Sequence, residues 1–215
     1  MEGRNDETAR LLACPSEAGR RKLLADAFTR HRKRLRFMVY LRLHPLLRGR
    51  VDPSDVLQEA FLAAARKLPR YVRDAPMPFF IWLRRVTAEK LHEIHRNHFA
   101  AQVRDARLEL RLPQLPAGPE ASSITLVDLL DNEGLTPSET AMNVEERASV
   151  QKALDGLDPM DREILVLRYF EKLSSAEAAE VLGLKIDAAR KRYLRALRRL
   201  RKVFGKTQPP GDDGP

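Results

Sequence analysis

One cysteine, Cys14, stands in 215 residues. A single thiol excludes an internal disulfide framework and any multi-cysteine zinc site, and it fits a reducing compartment. Long apolar runs are also missing. No stretch approaches the roughly 20 residues needed to cross a bilayer, so no membrane insertion is expected. Met1 to Arg10 is polar and mixed in charge, unlike the apolar core of a secretory signal. No segment carries the period-two alternation of a half-buried strand. There is no glycine-rich phosphate loop with its lysine, no metal–carboxylate cluster and no nucleophile arrangement. These absences point to a cytoplasmic, all-helical protein that is not an enzyme and needs no cofactor.

What the chain does carry is positive charge, and its distribution says more than its sum. The net charge is +9 and the pI about 10.0. Residues 1–112 hold 24 lysines and arginines against 13 acids. Residues 113–146 hold seven acids and no lysine or arginine, and residues 147–215 hold 15 basic residues against ten acids. The acidic middle opens with Pro113, Pro116 and Pro119, a spacing that breaks helices and suits a connector. The expected organisation is a polar tail (1–20), a helical bundle (21–112), an acidic linker (113–147), a helix-turn-helix domain (148–204) and a disordered tail (205–215). A short helix near Thr125–Leu130 is expected inside the linker. A basic balance of this kind implies a polyanionic partner.

In the first domain, Leu24, Phe28, His31, Leu35, Met38 and Arg42 follow steps of three and four, the spacing of one helix face. Asp52-Pro53 has the form of a helix start, with Asp as N-cap and Pro at the first helical position. Val56, Leu57, Ala60, Phe61, Ala64 and Leu68 then form a buried stripe, leaving Asp55, Gln58, Glu59 and Arg66 outside. A turn-rich segment is expected from Pro69 to Pro78, with Tyr71, Arg73 and Asp74 in it. A third helix runs from about Pro78 to beyond His98. On a wheel of about 100° per residue, Phe80, Leu83, Val86, Leu91 and Ile94 face inward. Arg84, Arg85, His92, His95 and Arg96 share the opposite arc, with Trp82 near its edge. Cations beside flat rings suit single-stranded nucleic acid, in which phosphates are neutralised and unpaired bases stack. A solvated basic face, with Trp82 tucked under a loop, is the competing reading. His92, His95 and His98 lack a completing Cys or Asp and are not expected to hold a metal.

The C-terminal domain carries the stronger signal. Leu157-Asp158-Pro159 precedes a helix containing Ile164, Leu165, Leu167 and Phe170. Ser174 followed three residues later by Glu177 has the form of a capping box. Gly183 stops that short helix, and another begins near Lys185–Asp187. Helix, glycine-containing turn and basic helix make a helix-turn-helix layout. The last helix is expected to bury Ala189, Tyr193, Ala196, Leu197, Leu200 and Phe204. Lys191, Arg192, Arg195, Arg198, Arg199 and Lys202 fall opposite, with Ala188 in the N-terminal part of that face. From Arg190 to Lys202 there are eight basic residues and no acid. Such a helix fits a major groove, with cations on the phosphates. A solvated basic helix in a helical hairpin is the alternative.

Both halves resemble the extracytoplasmic-function (ECF) group of bacterial RNA polymerase sigma factors, in the sigma-70 family. The likeness covers most of residues 21–204. DPSDVLQEAFLAAARKL (Asp52–Leu68) resembles the family's core-polymerase-binding helix. PFFIWLRRVTAEKLHEIHR (Pro78–Arg96) resembles its promoter-melting helix. LDPMDREILVLRYFEKLSSAEAAEVLGLKIDAARKRYLRAL (Leu157–Leu197) resembles its minus-thirty-five-binding domain. The resemblance implies that Asp55, Gln58, Glu59 and Leu62 meet core RNA polymerase. It implies that Tyr71, Arg73, Trp82, Arg84, Arg85, His92, His95 and Arg96 hold the melted minus-ten strand. Lys185, Ala188, Arg190, Lys191, Arg192, Arg195 and Arg199 would read the minus-thirty-five duplex. Core RNA polymerase and promoter DNA are the implied partners, and exposed basic helices on a two-domain chain would also suit an anti-sigma factor. Glu89 stands where many relatives carry Asn, and Ala188-Ala189-Arg190-Lys191 where a Thr-Val-Lys-Ser type is frequent, so base contacts do not transfer. The runner-up is a freestanding helix-turn-helix regulator that binds duplex operators without polymerase. Against it, the N-terminal half has neither the strands nor the acidic pocket of a receiver domain.

Overall fold

The computed structural model describes residues 3–44, 47, 49–75, 77–104, 126 and 144–204, and every regular element among them is helical. The chain divides into two compact units, Met1–Glu120 and Ala121–Pro215. Most of the acidic stretch and the tail 205–215 lie outside the described residues; within the helix expected near Thr125–Leu130, Leu126 alone is described, and it is helical and buried.

Among the described residues the first unit packs four helices, α1 (Gly3–Ala13), α2 (Glu17–Arg42), α3 (Pro53–Asp74) and α4 (Phe79–Arg104). The residues expected to form a polar tail make α1 instead. Its Leu11 is fully buried, and its Glu7 pairs with Arg30 and, at 2.9 Å, with His31 of α2. One buried leucine and two ion-paired contacts leave little apolar periodicity to read. Ser16 then caps α2, accepting from the Gly19 N–H at 3.0 Å. Leu24, Phe28, His31, Leu35, Met38 and Arg42 are all buried, as their spacing requires. Phe28 meets Phe61 of α3 edge-on at 5.3 Å, and the His31 ring lies 4.6 Å from Phe80 of α4.

Helix α3 starts where Asp52-Pro53 indicates: the Asp52 side chain accepts from the Ser54 N–H at 2.6 Å. It does not stop at Pro69, however, but continues to Asp74. A mid-helix proline removes one backbone donor and costs about 3 kcal/mol. The extra turn offsets that cost by burying Tyr71, whose ring stacks on Trp82 at 4.5 Å and lies 5.5 Å from Phe79. The Tyr71 hydroxyl donates to the Met77 carbonyl at 2.7 Å, fixing the chain reversal into α4. Ala75, in the left-handed region at φ 34°, ends α3.

The second unit contains α5 (Val144–Asp155), α6 (Pro159–Leu165), α7 (Ser175–Leu182) and α8 (Ile186–Phe204). Asp158 caps α6, accepting from the Met160 N–H at 3.0 Å. After Leu165 the helix widens into a π-helical turn, Val166–Phe170, where the Glu171 N–H reaches the Val166 carbonyl. Both halves of the capping box on α7 are made: Glu177 N–H to Ser174 Oγ at 3.2 Å, and Ser174 N–H to Glu177 Oε2 at 2.7 Å. Gly183 closes α7 at φ +63°, a conformation that L residues with a Cβ adopt only under strain. Helix α8 then packs against α5, α6 and α7.

Candidate nucleic-acid interface

The turn at Gly183 sets α8 across α7, and the pattern of small and large residues on α8 decides which side is buried. Ala189 and Ala196 are sealed in the interior, so the backbone of α8 lies close against its neighbours. The opposite side is basic. Arg190, Lys191, Arg195, Arg198 and Arg199 are exposed there, with Ala188 half-buried at the flank and Lys185 exposed just before the helix. Arg190 reaches Asp187 at 3.6 Å, a weak surface pair that leaves the guanidinium in solvent.

Arg192 and Arg195 behave differently from the rest. Both turn toward Asp161, in the first turn of α6, whose side chain is only 1% exposed. Arg195 grips it with two bonds, Nε to Oδ2 and Nη2 to Oδ1, each 2.7 Å. Arg192 Nη1 adds a third at 2.8 Å and lies 3.4 Å from Asp158. Bonds from Arg195, aided by those from Arg192, hold the Asp161 carboxyl below its ordinary value of 3.8, against the opposing effect of burial. Arg192 is thus partly a strut of the domain, while Arg195 remains half in solvent. Behind them, the Arg168 guanidinium donates from Nη1 to the Leu173 carbonyl and lies 5.4 Å from the centre of the Tyr193 ring.

Two exposed apolar residues also stand on α8, Ile186 and Leu194. Leu194 falls on the wheel between Arg190 and Lys191, inside the basic arc. The wheel could have found it, because it breaks an otherwise cationic surface; Asp161 could not be found that way, lying 31 and 34 residues from its partners.

In the first unit the expected strand-holding residues do not share one outward face. Arg73, Arg85 and Arg96 are exposed and His92 is half-buried, but Tyr71, Trp82, Arg84 and His95 are all buried. The Trp82 ring clusters with Tyr71 at 4.5 Å and Phe79 at 5.5 Å, and the residue is only 7% exposed, so it is not open to a base. The cause is packing: α4 contacts α1, α2 and α3, which cover both its apolar side and the first turns of its expected polar side. Phe79 N–H donates to Thr8 Oγ1 of α1 at 3.0 Å, which shows how α1 closes over that end. Glu89 is bound on both sides, by Lys67 of α3 at 2.6 Å and Arg85 at 3.2 Å. His95 is burdened by burial and by the nearby His44, His92 and His98, which together push its pKa down to about 4. No group of three or more metal-ligating side chains comes together among the described residues. On α3, Asp55, Gln58, Glu59 and Leu62 lie side by side on the exposed face, and Glu59 reaches Lys90 at 3.4 Å.

A capped short helix, a left-handed glycine and a basic helix with one open face define a helix-turn-helix DNA-binding class. Residues 147–200 match the family Sigma-70, region 4. The chain is 31% identical over 165 residues to the probable RNA polymerase sigma factor RfaY of Xanthomonas campestris, covering 74% of this chain but only 37% of that longer protein. It is 31% identical over 150 residues to the RNA polymerase sigma factor CnrH of Cupriavidus metallidurans, covering 69% of this chain and 71% of CnrH. It is 30% identical to the ECF RNA polymerase sigma factor ShbA of Streptomyces griseus, covering 70% of each. The solved structure of CnrH in complex with the cytosolic domain of CnrY has the same fold, with a TM-score of 0.53 at 24% identity over 94% of this chain and 99% of that one. The chain belongs to the ECF RNA polymerase sigma factors.

Proposed function

We propose that this chain binds core RNA polymerase and directs promoter recognition, promoter melting and transcription initiation, without catalysing a reaction of its own and within the cytoplasm. The observation that carries the reading is the pairing of two compact helical units, the second presenting α8 with its open cationic face. A freestanding operator-binding protein would have no use for the exposed Asp55, Gln58, Glu59 and Leu62 patch on α3. Those four residues are assigned to core polymerase. Lys185, Ala188, Arg190, Lys191, Arg195 and Arg199 are assigned to the minus-thirty-five duplex, with Arg192 bracing the helix from behind.

For the melted minus-ten strand, the exposed Arg73, Arg85, Arg96 and the half-exposed His92 supply contacts to phosphates. Tyr71, Trp82, Arg84 and His95 act from beneath, by fixing the end of α3 and the start of α4. The acidic stretch expected as a linker over 113–147 ends at α5, which starts at Val144; its 113–143 part serves as the linker, attracted to a positively charged channel of the polymerase. Exposed basic faces on both units also suit an acidic anti-sigma partner. CnrH, a relative, has been solved in complex with the cytosolic domain of CnrY.

The direct test is run-off transcription with core polymerase and a promoter selected by the reconstituted holoenzyme. Promoter-dependent transcripts are expected only when the chain is present. Duplex binding by the chain alone, with no co-migration with core polymerase and no transcript, would reinstate the freestanding regulator.

A further inference from the structure

We propose that Asp161 is a positioning residue for DNA readout, which aims the Arg195 guanidinium at one place on the duplex. This rests on the assignment of α8 to a DNA duplex. A guanidinium has three donor-bearing nitrogens arranged in a plane, and so two usable edges for a forked contact. Arg195 gives its Nε/Nη2 edge to the two oxygens of Asp161, at 2.7 Å each. That leaves the Nη1/Nη2 edge, the one that matches the O6 and N7 acceptors of guanine. The Arg195 side chain is half exposed, and this edge is the one we assign to the duplex.

The anchor itself is stiff. Asp161 sits in the first turn of α6, next to the N-cap Asp158, and is 1% exposed. Its Oδ1 is shared with Arg192, which holds the carboxylate plane from a second side. A free arginine samples many rotamers and settles on any nearby phosphate; one held by a buried carboxylate loses that freedom before the DNA arrives. The expected consequence is selectivity rather than raw affinity. Lys191 and Arg198, for which no such anchor exists among the described contacts, supply sequence-independent attraction.

The test uses the full chain, alone and bound to core polymerase, with a duplex enriched from a random library by the wild-type protein and a scrambled duplex of equal composition. Asp161→Asn keeps shape and an acceptor but gives up the charge and one half of the fork. Its preference for the enriched duplex should fall about tenfold or more, while binding to the scrambled duplex holds or strengthens. The slope of log affinity against log salt on the scrambled duplex should steepen by about one, as Arg195 becomes a phosphate contact. Arg195→Lys, which breaks the fork from the exposed side and spares the fold, should lose the same preference. The double variant should lose no more than either single change. Equal weakening on both duplexes, or additive losses in the double variant, would assign Asp161 a purely structural role and overturn the inference. If the wild-type chain enriches no duplex in either form, the assignment of α8 to DNA fails first, and this inference with it.

Discussion

His95 makes the first unit sensitive to mild acid, by an amount that follows from its surroundings. The ring is buried on α4, and its Nε2 accepts from the His44 backbone N–H at 3.4 Å, so the native state holds it neutral. Burial first, and then His44, His92 and His98, lower its pKa from 6.5 to about 4. In the unfolded chain the same ring protonates near 6.5. A group whose native pKa is depressed contributes stability that is complete above the unfolded value and is lost as pH falls toward the native one. At 1.36 kcal/mol per pH unit, the unit should lose about 2 kcal/mol between pH 7.5 and pH 5, and at most about 3 kcal/mol by pH 4.

All five histidines and the single tryptophan fall in residues 1–120, so the chain supplies its own probe. Trp82, buried against Tyr71 and Phe79, reports unfolding of this unit within the intact protein. Urea titrations followed by its fluorescence at pH 7.5, 6.5, 5.5 and 5.0 give the slope directly. His95→Gln retains a neutral acceptor for His44 but cannot titrate. Its stability should vary less with pH, by the same 2 kcal/mol, with the two curves meeting toward pH 5. Glu7 and Glu89 have their pKa values lowered from 4.5 and stay ionised over this window, so they do not confound the difference. Parallel curves for the wild type and His95→Gln would refute the reasoning.

Three further outcomes are expected. Gly183→Ala places a Cβ in open space but at φ +63°, so its cost is backbone strain alone, about 1 kcal/mol; circular-dichroism melting should show it, and an unchanged melting curve would mean the turn relaxes. Replacing Lys191 and Arg198 by Ala should lower duplex affinity and flatten its salt dependence by about two charges, leaving core polymerase binding intact. Replacing Glu59 and Leu62 by Ala should do the reverse: co-migration with core polymerase is lost, while duplex binding by the second unit is unchanged.

How much of this was readable in advance depended on how far round each helix its neighbours reach. Helix α8 is covered on one side, by α5, α6 and α7, so a wheel with one buried stripe describes it well. Its caps and its entry turn are local chemistry, and Ser174, Glu177 and Gly183 announce them within a few residues. Helix α4 also meets three helices, α1, α2 and α3, but they bury it on more than one side, and one stripe is the wrong description for it. There Arg84 and His95 go inside along with Ile81 and Trp82, because the neighbours reach round to meet them. Thr87 also goes inside, its hydroxyl donating to the Leu83 carbonyl at 2.8 Å and so needing no outside partner. The continuation of α3 through Pro69 has the same origin, since the reward for the extra turn is Tyr71 packing on a ring from the next helix. The Asp161 contact with Arg192 and Arg195 is non-local in the same sense. Before the fold is known, the arginines are charges on a helix face and Asp161 is a first-turn acid. Only when α6 and α8 are packed does the pair become a strut and, as proposed, an aimed donor. The exposed basic surface of α8, proposed to attract DNA, was therefore legible from charge and periodicity. The contact proposed to discriminate between sequences was not, because it is built between helices.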